Sequence, residues 1–291
     1  MSKRYAITGA NGNLGVRAIA TLGIDQVRAL VRSERAKDYL LGKFPDLEVV
    51  VVEYTNSASL RGALDGCEVV VHLVGIIKES RTSAYVDAHE RSCEALIQGL
   101  PDSVQNIVYL SIVGSSSDSS NSCLASKGRA ENILLKSRAV VCVLQVPMVL
   151  GEGDYAAAAL SRNSSKSFAL TFRASSLEQP IYAGDVLTAI TAAACVEESV
   201  LYQLGGAESL SRRELIQRAA SLQGNSVVIL SLPISLGKLI ARLLELLPHP
   251  PVTEAMLDVL DHDDQIDNDG VLRAFGMSLT PLNETLLQIL K

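Results

Sequence analysis

Three glycines near the N-terminus have the spacing of a phosphate-binding loop. The segment at 8–15, Thr-Gly-Ala-Asn-Gly-Asn-Leu-Gly, follows a strand-like run at 5–7 and opens a helical pattern of apolar residues at 14, 18 and 22. The first glycine of such a loop permits a tight turn, the second lets a pyrophosphate approach the backbone, and the third lets the helix pack on the strand. Free N–H groups at the helix start then bind the phosphates. We therefore expect a bound dinucleotide rather than a plain strand-to-helix turn, with contacts from Gly9, Asn11, Gly12, Asn13, Leu14 and Gly15.

The end of the second strand distinguishes the two nicotinamide dinucleotides. An acidic residue there accepts hydrogen bonds from the adenosine ribose, whereas an arginine attracts the additional 2′-phosphate. The sequence has Arg32 at this place and Arg35 three residues later, which favours NADP(H) over NAD(H). In the alternative, both arginines are solvated surface charges and Glu34 binds the ribose.

Later strand ends supply further expected cofactor contacts. Glu53, which ends the third strand, can accept a hydrogen bond from the adenine amine. Leu73, Val74 and Gly75 end the fourth strand and would line the cofactor with backbone and apolar side chains. Pro147, just after the sixth strand, completes this expected set.

The elements that must position these residues alternate along the first half of the chain. Short β-branched runs predict strands at 4–8, 26–32, 47–53, 68–74, 105–111 and 139–146, and apolar periodicity predicts helices at 13–22, 57–65, 83–99 and 123–137. This alternation is typical of an α/β fold with a Rossmann-type doubly wound parallel sheet, here over residues 1–150. The continuous apolar runs at 49–52 and 69–71 predict central strands buried on both faces.

The pattern is less regular after residue 150. A strand-like stretch at 180–182, a helix at 184–196 and an apolar helix at 236–247 stand out, and serine-rich stretches cover 114–122 and 161–167. We expect 151–291 to form a smaller C-terminal region for a substrate or partner, with contributions back to the first domain. The polar 114–122 stretch predicts a mobile loop, and Asp185 is placed to cap the helix at 186–196.

Composition excludes several classes of function. A chain of 291 residues that is 48% hydrophobic can bury a large core, and its net charge of −6 makes nucleic acid an unlikely main partner. Its five cysteines are scattered without ligand spacing, so neither disulfides nor a metal site is expected. It has no apolar run of the roughly 18–20 residues that a membrane span requires and no secretory signal, so a cytoplasmic location is expected.

Beyond these local patterns, the sequence resembles the extended and atypical short-chain dehydrogenase/reductase superfamily, with its NAD(P)-dependent epimerase and NmrA-like members. The segments at 71–79, 179–186, 202–215 and 232–253 are similar to bacterial relatives of the nucleotide-binding accessory subunit of mitochondrial complex I. The resemblance covers nearly the whole chain. It implies a Rossmann fold with a small C-terminal domain.

The resemblance also implies where catalysis would occur. Active members pair a tyrosine with a lysine four residues later on one helix, and a serine or threonine after the fifth strand assists. Here Lys127 is retained, Ser111 has the assisting position, and Cys123 replaces the tyrosine. Cys123 is either a thiolate that acts in chemistry or a small buried residue. Lys127 would also bind the nicotinamide ribose, with or without turnover.

Other candidate side chains are weaker. Four tyrosines could present a phenol near the nicotinamide: Tyr85, Tyr109, Tyr155 and Tyr182. Of these, Tyr155 alone is expected in a loop facing the site, and the other three are expected to pack in strands or the core. His72 and His89 are expected to be hydrogen-bonded structural imidazoles rather than general bases.

Three functions remain open on the sequence. The first is an NADP(H)-dependent oxidoreductase or epimerase with an unknown small-molecule substrate. The second is a non-catalytic nucleotide-binding protein that assembles with a protein complex, and the third is a sensor of the redox state of the cofactor. The helix at 236–247 is expected either to be buried or to make a peripheral membrane or partner contact.

Overall fold

The structure, a computed structural model, describes residues 3–80, 83–244, 257–258 and 262–290. The chain divides into two compact units. The first comprises residues 1–145 and 187–202, and the second comprises residues 146–186 and 203–291.

A seven-stranded sheet with the order β11-β6-β5-β4-β1-β2-β3 forms the centre of the first unit. Its strands are β1 (Tyr5–Thr8), β2 (Val27–Val31), β3 (Glu48–Val51), β4 (Val69–His72), β5 (Asn106–Ile112), β6 (Val140–Val146) and β11 (Val200–Gln203). The pairs β3–β2, β2–β1, β1–β4 and β4–β5 are parallel. This confirms the α/β, Rossmann-type fold expected from the alternation of strands and helices.

The order of this sheet determines where a ligand can bind. Successive strands run outward from β1 in one direction as far as β3, and the chain then returns to the other side of β1 to add β4. A parallel sheet opens a crevice beyond the carboxyl ends of the strands at such a switch point. The glycine loop follows β1 and Leu73 follows β4, so both flank this crevice.

Helices connect the strands of the first unit. They are α1 (Asn13–Leu22), α2 (Glu34–Lys43), α3 (Ser57–Leu64), a π-helical turn (Val86–Arg91) that runs into α4 (Ser92–Gly99), and α5 (Ser122–Leu134). Side chains cap three of them: Ser33 accepts the Ala36 N–H, Asn56 those at the start of α3, and Asn121 the Leu124 N–H.

The second unit is built from short strands and helices. Its elements are β7 (Val149–Leu150), α6 (Tyr155–Ser164), β8 (Phe168–Phe172), β9 (Leu177–Glu178), β10 (Ile181–Tyr182), β12 (Leu210–Ser211), α8 (Arg212–Leu222), β13 (Val228–Leu232), α9 (Ile234–Leu244), α10 (Asp269–Phe275) and α11 (Leu282–Ile289), and α7 (Ala183–Ala193) begins in it. Its core includes Leu150, Leu160, Ile216, Ile229 and Leu286.

Several local expectations need correction. The valine run at 49–52 was expected in a central strand, but β3 is the half-buried edge strand of the sheet, whereas β4 is central and fully buried as expected. The sequence pattern also missed α2, because Leu40 is its one buried residue and it therefore has little apolar periodicity. The helix expected at 236–247 is present as α9 up to Leu244, and its last three positions lie outside the described residues.

Two polar positions also differ from expectation. Asp185 lies in the first turn of α7, which starts at Ala183, rather than ahead of a helix that starts at 186; the N–H and hydroxyl of Thr280 donate to its carboxylate, each at 2.8 Å. Tyr155 is the first residue of α6 rather than part of a loop, and it is 77% exposed. The alanine run at 156–159 favours that helix.

Among the helices that the structure describes, none combines the length and the apolar character needed to cross a bilayer.

Candidate functional site

A cleft of about 600 Å³ opens in the first unit beside the glycine loop. Residues after β1, β2, β3 and β4 line it, together with residues near the π-helical turn. The lining residues include Gly9, Asn11, Gly12, Arg32, Glu53, Tyr54, Leu73, Val74, Gly75, Ile76 and Arg91. Eight of the residues expected to bind the cofactor therefore lie on one surface: Gly9, Asn11, Gly12, Arg32, Glu53, Leu73, Val74 and Gly75.

Glycine is present at the three positions of the loop for different structural reasons. Gly9 has φ +65°, and a Cβ there would lie 3.1 Å from the Leu73 carbonyl. A Cβ on Gly15 would lie 2.6 Å from the Ala10 oxygen, so close packing of α1 requires this glycine. Gly12 has an extended backbone (φ −73°, ψ 166°), and a Cβ there would approach only the Gly9 oxygen, at 3.3 Å. A side chain at 12 would therefore require the Gly9 carbonyl to move by only a few tenths of an ångström, far less than at 15, which is consistent with a ligand as the main reason for this glycine.

The start of α1 is open in the way that a phosphate requires. Gly12 caps the helix without any side-chain hydrogen bond, and no acidic residue lies in the first turn. Asn13, Leu14 and Gly15 form that turn, so their backbone is at the positive end of the helix dipole. The loop thus fits a pyrophosphate.

Tyr54 ties the glycine loop to the end of β2. Its hydroxyl donates to the Leu30 carbonyl (2.6 Å) and accepts the Gly9 N–H (2.8 Å). Burial raises the pKa of Tyr54 to about 12, so the phenol is neutral. The sequence analysis missed this residue, although an aromatic residue directly after the third strand was a signal for it.

At the ends of β2 and β3, the cleft lining contains a cation and a carboxylate, Arg32 and Glu53. Arg32 directly follows β2 and Glu53 lies just past β3, where it accepts a 2.9 Å hydrogen bond from the Thr55 hydroxyl. Glu34, the alternative ribose acceptor, is not part of the described cleft lining, and its carboxylate lies 3.9 Å from Lys37. Arg35 is not part of the described cleft lining either.

Lys127 is a buried cation beneath the wall of the cleft. Its Nζ donates to the Leu110 carbonyl (3.0 Å) and lies 4.5 Å from the centre of the Tyr109 ring. A Cβ on Gly75, which lines the cleft, would come within 3.0 Å of this Nζ, so the ammonium lies directly behind Gly75, although Lys127 itself is not part of the described lining. Burial lowers the pKa of Lys127 because water is excluded from the charge.

Cys123 and Tyr85 lie together beside the loop that follows β4. The Cys123 thiol donates to the Ile76 carbonyl oxygen at 3.7 Å, and it is close enough to the Tyr85 side chain for the two groups to affect each other's pKa. Burial raises the pKa of the Cys123 thiol and also that of the Tyr85 phenol, so both groups keep their protons at neutral pH. The structure thus places a phenol next to the position where the resemblance implied one. The sequence analysis expected Tyr85 only to pack.

Tyr85 is held in place from three directions. Its hydroxyl donates to the Ile77 carbonyl (2.7 Å), its backbone N–H donates to Glu79 (2.7 Å), and its ring stacks on His89 at 5.6 Å between centroids. The Nε2 of His89 in turn accepts the Ile76 N–H at 3.1 Å. The loop at 75–79 and the phenol therefore form one fixed arrangement.

The two histidines near this loop are neutral. Burial lowers the pKa of His72 and that of His89 to about 3. Nδ1 of His72 lies 2.8 Å from the Thr8 hydroxyl, whereas Nδ1 of His89 has no hydrogen-bond partner among the described residues. Neither imidazole can serve as a cation at neutral pH.

Ser111 belongs to a second buried polar group. Its hydroxyl donates to Glu131, and the amide of Gln145 donates to both Glu131 oxygens (3.0 Å) and to the Ser115 carbonyl (3.1 Å). Burial raises the pKa of Glu131. This group anchors the serine-rich loop at Ser115, and a Cβ on Gly128 would meet the backbone of Ser116 at 2.3 Å. The Ser111 hydroxyl is thus engaged within the protein, and Ser111 is not part of the described cleft lining.

Pro147 belongs to the second unit, and its contact with the cofactor stays a prediction. Tyr182 and Tyr155 also belong to that unit, where the Tyr182 hydroxyl lies 3.4 Å from Glu152. No group of three or more potential metal ligands occurs among the described residues.

Comparison with known proteins agrees with this geometry. The sequence model of a family described as "NAD(P)H-binding" matches residues 9–167. A mitochondrial NADH dehydrogenase [ubiquinone] 1 alpha subcomplex subunit 9 from Arabidopsis thaliana is 24% identical over 223 residues, which are 72% of this chain and 56% of that protein. A ceramide reductase from Caulobacter vibrioides is 27% identical over 155 residues, or 51% of this chain and 47% of that protein. The chain thus spans about half the length of these relatives.

Solved structures share the fold over the full chain. The triphenylmethane reductase of Citrobacter sp. superposes with a TM-score of 0.76, covers 99% of both chains and has 20% sequence identity. At this identity the superposition establishes the fold alone.

Proposed function

The chain belongs to the NAD(P)H-binding family, and we propose that it is an NADP(H)-dependent oxidoreductase that works in the direction of substrate reduction. The observation that carries this proposal is the group of Lys127, Cys123 and Tyr85 packed directly behind the loop at 75–77. Gly75 and Ile76 of that loop line the cleft, whereas the three side chains are buried behind it and are not part of the described lining. When bound, the dihydronicotinamide supplies a hydride.

The protonation states favour reduction over epimerisation. Reduction of a carbonyl or a quinone needs a proton donor, whereas oxidation of a hydroxyl, the first step of many epimerisations, needs a base. Since burial raises the pKa of both Cys123 and Tyr85, neither is a base at neutral pH. Tyr85 is the stronger candidate donor, because its phenol has the chemistry that the enzyme family normally places at position 123.

Lys127 has a positioning and electrostatic role in this proposal. Its ammonium lies directly behind Gly75 of the cleft lining. From there it would bind the nicotinamide ribose and stabilise negative charge that develops on the substrate oxygen. A buried cation in a region of low dielectric acts more strongly on such charge than a solvated one.

A second candidate function is a nucleotide-binding protein without turnover. The observation that favours it is Cys123 itself, a buried neutral thiol where active relatives would have a phenol. The Arabidopsis relative is named as a subunit of a larger enzyme, which suits such a role. This function predicts tight nucleotide binding and no NADPH consumption with any acceptor.

Arg32 is proposed to select NADPH, and its replacement tests that selection. A lost charge-assisted contact is worth about 1.5–3 kcal/mol, so Arg32→Ala should weaken NADPH binding about 10- to 100-fold. NADH has no 2′-phosphate, and its affinity should change less than about threefold. Calorimetric titration measures both values. Arg35→Ala is the matched control, since Arg35 is not part of the described cleft lining. An equal loss for both nucleotides would show that Arg32 does not read the 2′-phosphate.

The role of Tyr85 can be tested with two acceptors that differ in their need for a proton. A cationic triarylmethane dye such as crystal violet becomes a neutral product when it gains a hydride alone. An aromatic quinone such as 9,10-phenanthrenequinone needs a hydride and a proton to become a hydroquinone. If Tyr85 donates that proton, Tyr85→Phe should lower NADPH oxidation by the quinone about 100-fold and leave oxidation by the dye unchanged.

This comparison has its own controls. Tyr39→Phe removes a phenol that is 47% exposed on α2 and should change neither rate. Equal losses with both acceptors in Tyr85→Phe would mean that the phenol supports the fold or the cofactor instead. If the wild-type protein binds NADPH but oxidises it with neither acceptor, the non-catalytic function is favoured.

A further inference from the structure

The first part of the glycine loop is weakly held by its own backbone. Asn11 and Gly12 are exposed in the cleft lining. The Gly12 N–H donates to the Gly9 carbonyl within the loop (3.0 Å), and the Ala10 N–H donates to the Leu30 carbonyl of β2 at a long 3.4 Å. Glycine loses more conformational freedom on ordering than any other residue. A loop of this composition is therefore costly to hold in one conformation.

The Tyr54 hydroxyl supplies a stronger connection between the loop and β2. It accepts the Gly9 N–H (2.8 Å) and donates to the Leu30 carbonyl (2.6 Å). A neutral phenol can make both hydrogen bonds at once, because its oxygen accepts while its O–H donates. Both bonds are shorter than the backbone bond from Ala10. The position of Gly9 relative to β2 thus depends on Tyr54.

Tyr54 itself is fixed by contacts within the protein. Its ring packs against the buried core of the first unit. It lies in a turn that the Asn56 N–H closes by donating to the Glu53 carbonyl (3.0 Å), and the Asn56 side chain also caps α3. The fold therefore determines where the hydroxyl lies.

The hydrogen bond to Tyr54 also limits which loop groups can bind phosphate. The N–H groups of Gly9, Ala10 and Gly12 all donate within the protein. Those in the first turn of α1 have no acceptor in their own helix. A pyrophosphate is therefore expected at the start of α1, and the loop at 9–12 must leave its approach open.

We propose that Tyr54 is a positioning residue that holds the glycine loop in its phosphate-binding conformation before the dinucleotide arrives. This inference rests on the proposed nucleotide binding and adds a residue that acts through the loop. Ordering part of a binding site during binding costs affinity, and a preformed loop avoids that cost. Because the pyrophosphate is common to NADPH and NADH, Tyr54 contributes equally to the binding of both.

Calorimetric titration of Tyr54→Phe with NADPH and with NADH tests this role. The variant keeps the packed ring and removes two hydrogen bonds, so the affinity for both nucleotides should fall by the same factor, about 5- to 30-fold. Arg32→Ala, by contrast, should weaken NADPH binding far more than NADH binding. Tyr39→Phe, which removes an exposed phenol on α2, is the matched control and should bind both nucleotides like the wild type.

Hydrogen–deuterium exchange of the nucleotide-free protein separates positioning from a general loss of stability. Tyr54→Phe should speed amide exchange in a peptide covering 8–16 by about tenfold or more, and speed it much less in the central strand β5. Saturating NADPH should restore slow exchange in the loop, because the bound pyrophosphate then orders it.

Three results would overturn the positioning role of Tyr54. The first is wild-type affinity for both nucleotides in Tyr54→Phe, which would leave the proposed nucleotide binding intact. The second is a loss confined to NADPH, since Tyr54 would then act on the 2′-phosphate. The third is equal acceleration of exchange in the loop and in β5, which would show that the phenol only supports the fold. Absence of nucleotide binding by the wild-type protein would instead contradict the proposed function, and the role of Tyr54 in binding with it.

Discussion

Lys127→Met is expected to reduce NADPH oxidation with the dye and with the quinone at least 100-fold, while the melting temperature stays the same or rises. The activity falls because the ammonium that lies directly behind Gly75 of the cleft lining is removed, and a positioned charge of this kind contributes about 10²- to 10³-fold to a rate. Both acceptors are affected, since the cation acts on the cofactor as well as on the substrate oxygen. This pattern distinguishes Lys127 from Tyr85, whose loss should affect the quinone alone.

Lys127→Met is expected to lose activity without losing stability. Lys127 is 5% exposed, and its Nζ has the Leu110 carbonyl and the Tyr109 ring as neighbours. Glu131 acts on its charge from a distance, but among the described residues no carboxylate forms an ion pair with it. A buried charge without an ion-pair partner is costly, and an apolar side chain of similar length removes that cost. Methionine fills the same volume flexibly. Because the buried charge of Lys127 lowers the stability of the fold, a functional role explains why a lysine is present at this position.

Activity assays and thermal unfolding of the same preparations check both halves of this expectation. Lys136→Met, which removes an exposed lysine just after α5, is the matched control and should leave rate and melting temperature unchanged. Full activity in Lys127→Met would show that the lysine has no part in turnover. A melting temperature that falls by many degrees would mean that Lys127 holds the fold together.

Alanine at Gly12 and at Gly15 should give opposite results. Gly12→Ala should weaken NADPH binding at least 100-fold and leave the fold intact, because a Cβ at 12 needs only a small shift of the Gly9 oxygen, 3.3 Å away, but occupies the approach to the pyrophosphate. Gly15→Ala should lower the melting temperature by about 5 °C, because its Cβ would lie 2.6 Å from the Ala10 oxygen and the backbone must move.

Calorimetric titration and thermal unfolding of the two variants measure this contrast. Each variant is the control for the other, because the two substitutions lie three residues apart in the same loop. General damage to the loop would change binding and stability in both variants alike. If Gly12→Ala binds NADPH like the wild type, the pyrophosphate does not lie against this residue. If both variants unfold at lower temperature, Gly12 also has a packing role.

The parts of the fold that were predictable from sequence depend on local patterns. The strand, glycine loop and helix at 5–22 are contiguous, so residue spacing was sufficient to predict them. The placement of Arg32 and Gly75 at the cleft followed from the rule that parallel strands end on one side of a sheet. The edge position of β3 was not predictable in this way, because a valine run looks alike in a central and an edge strand.

The parts that sequence reasoning missed depend on contacts between distant segments. Tyr85 meets Cys123, 38 positions further along the chain, and Tyr54 joins Leu30 to Gly9. Nothing near Tyr85 in the sequence indicates that its hydroxyl lies beside the sulfur that replaces the expected phenol. Likewise, Thr280 satisfies Asp185 from 95 residues away, which the capping rule could not anticipate.

The most direct test of the account is calorimetric titration of the ligand-free wild-type protein with NADPH and, separately, with NADH. The cleft with Arg32 at the end of β2 predicts one NADPH site per chain and at least tenfold weaker binding of NADH. Equal or tighter binding of NADH would contradict the assigned preference. Absence of binding by either nucleotide would contradict the assignment of the glycine loop as a cofactor site.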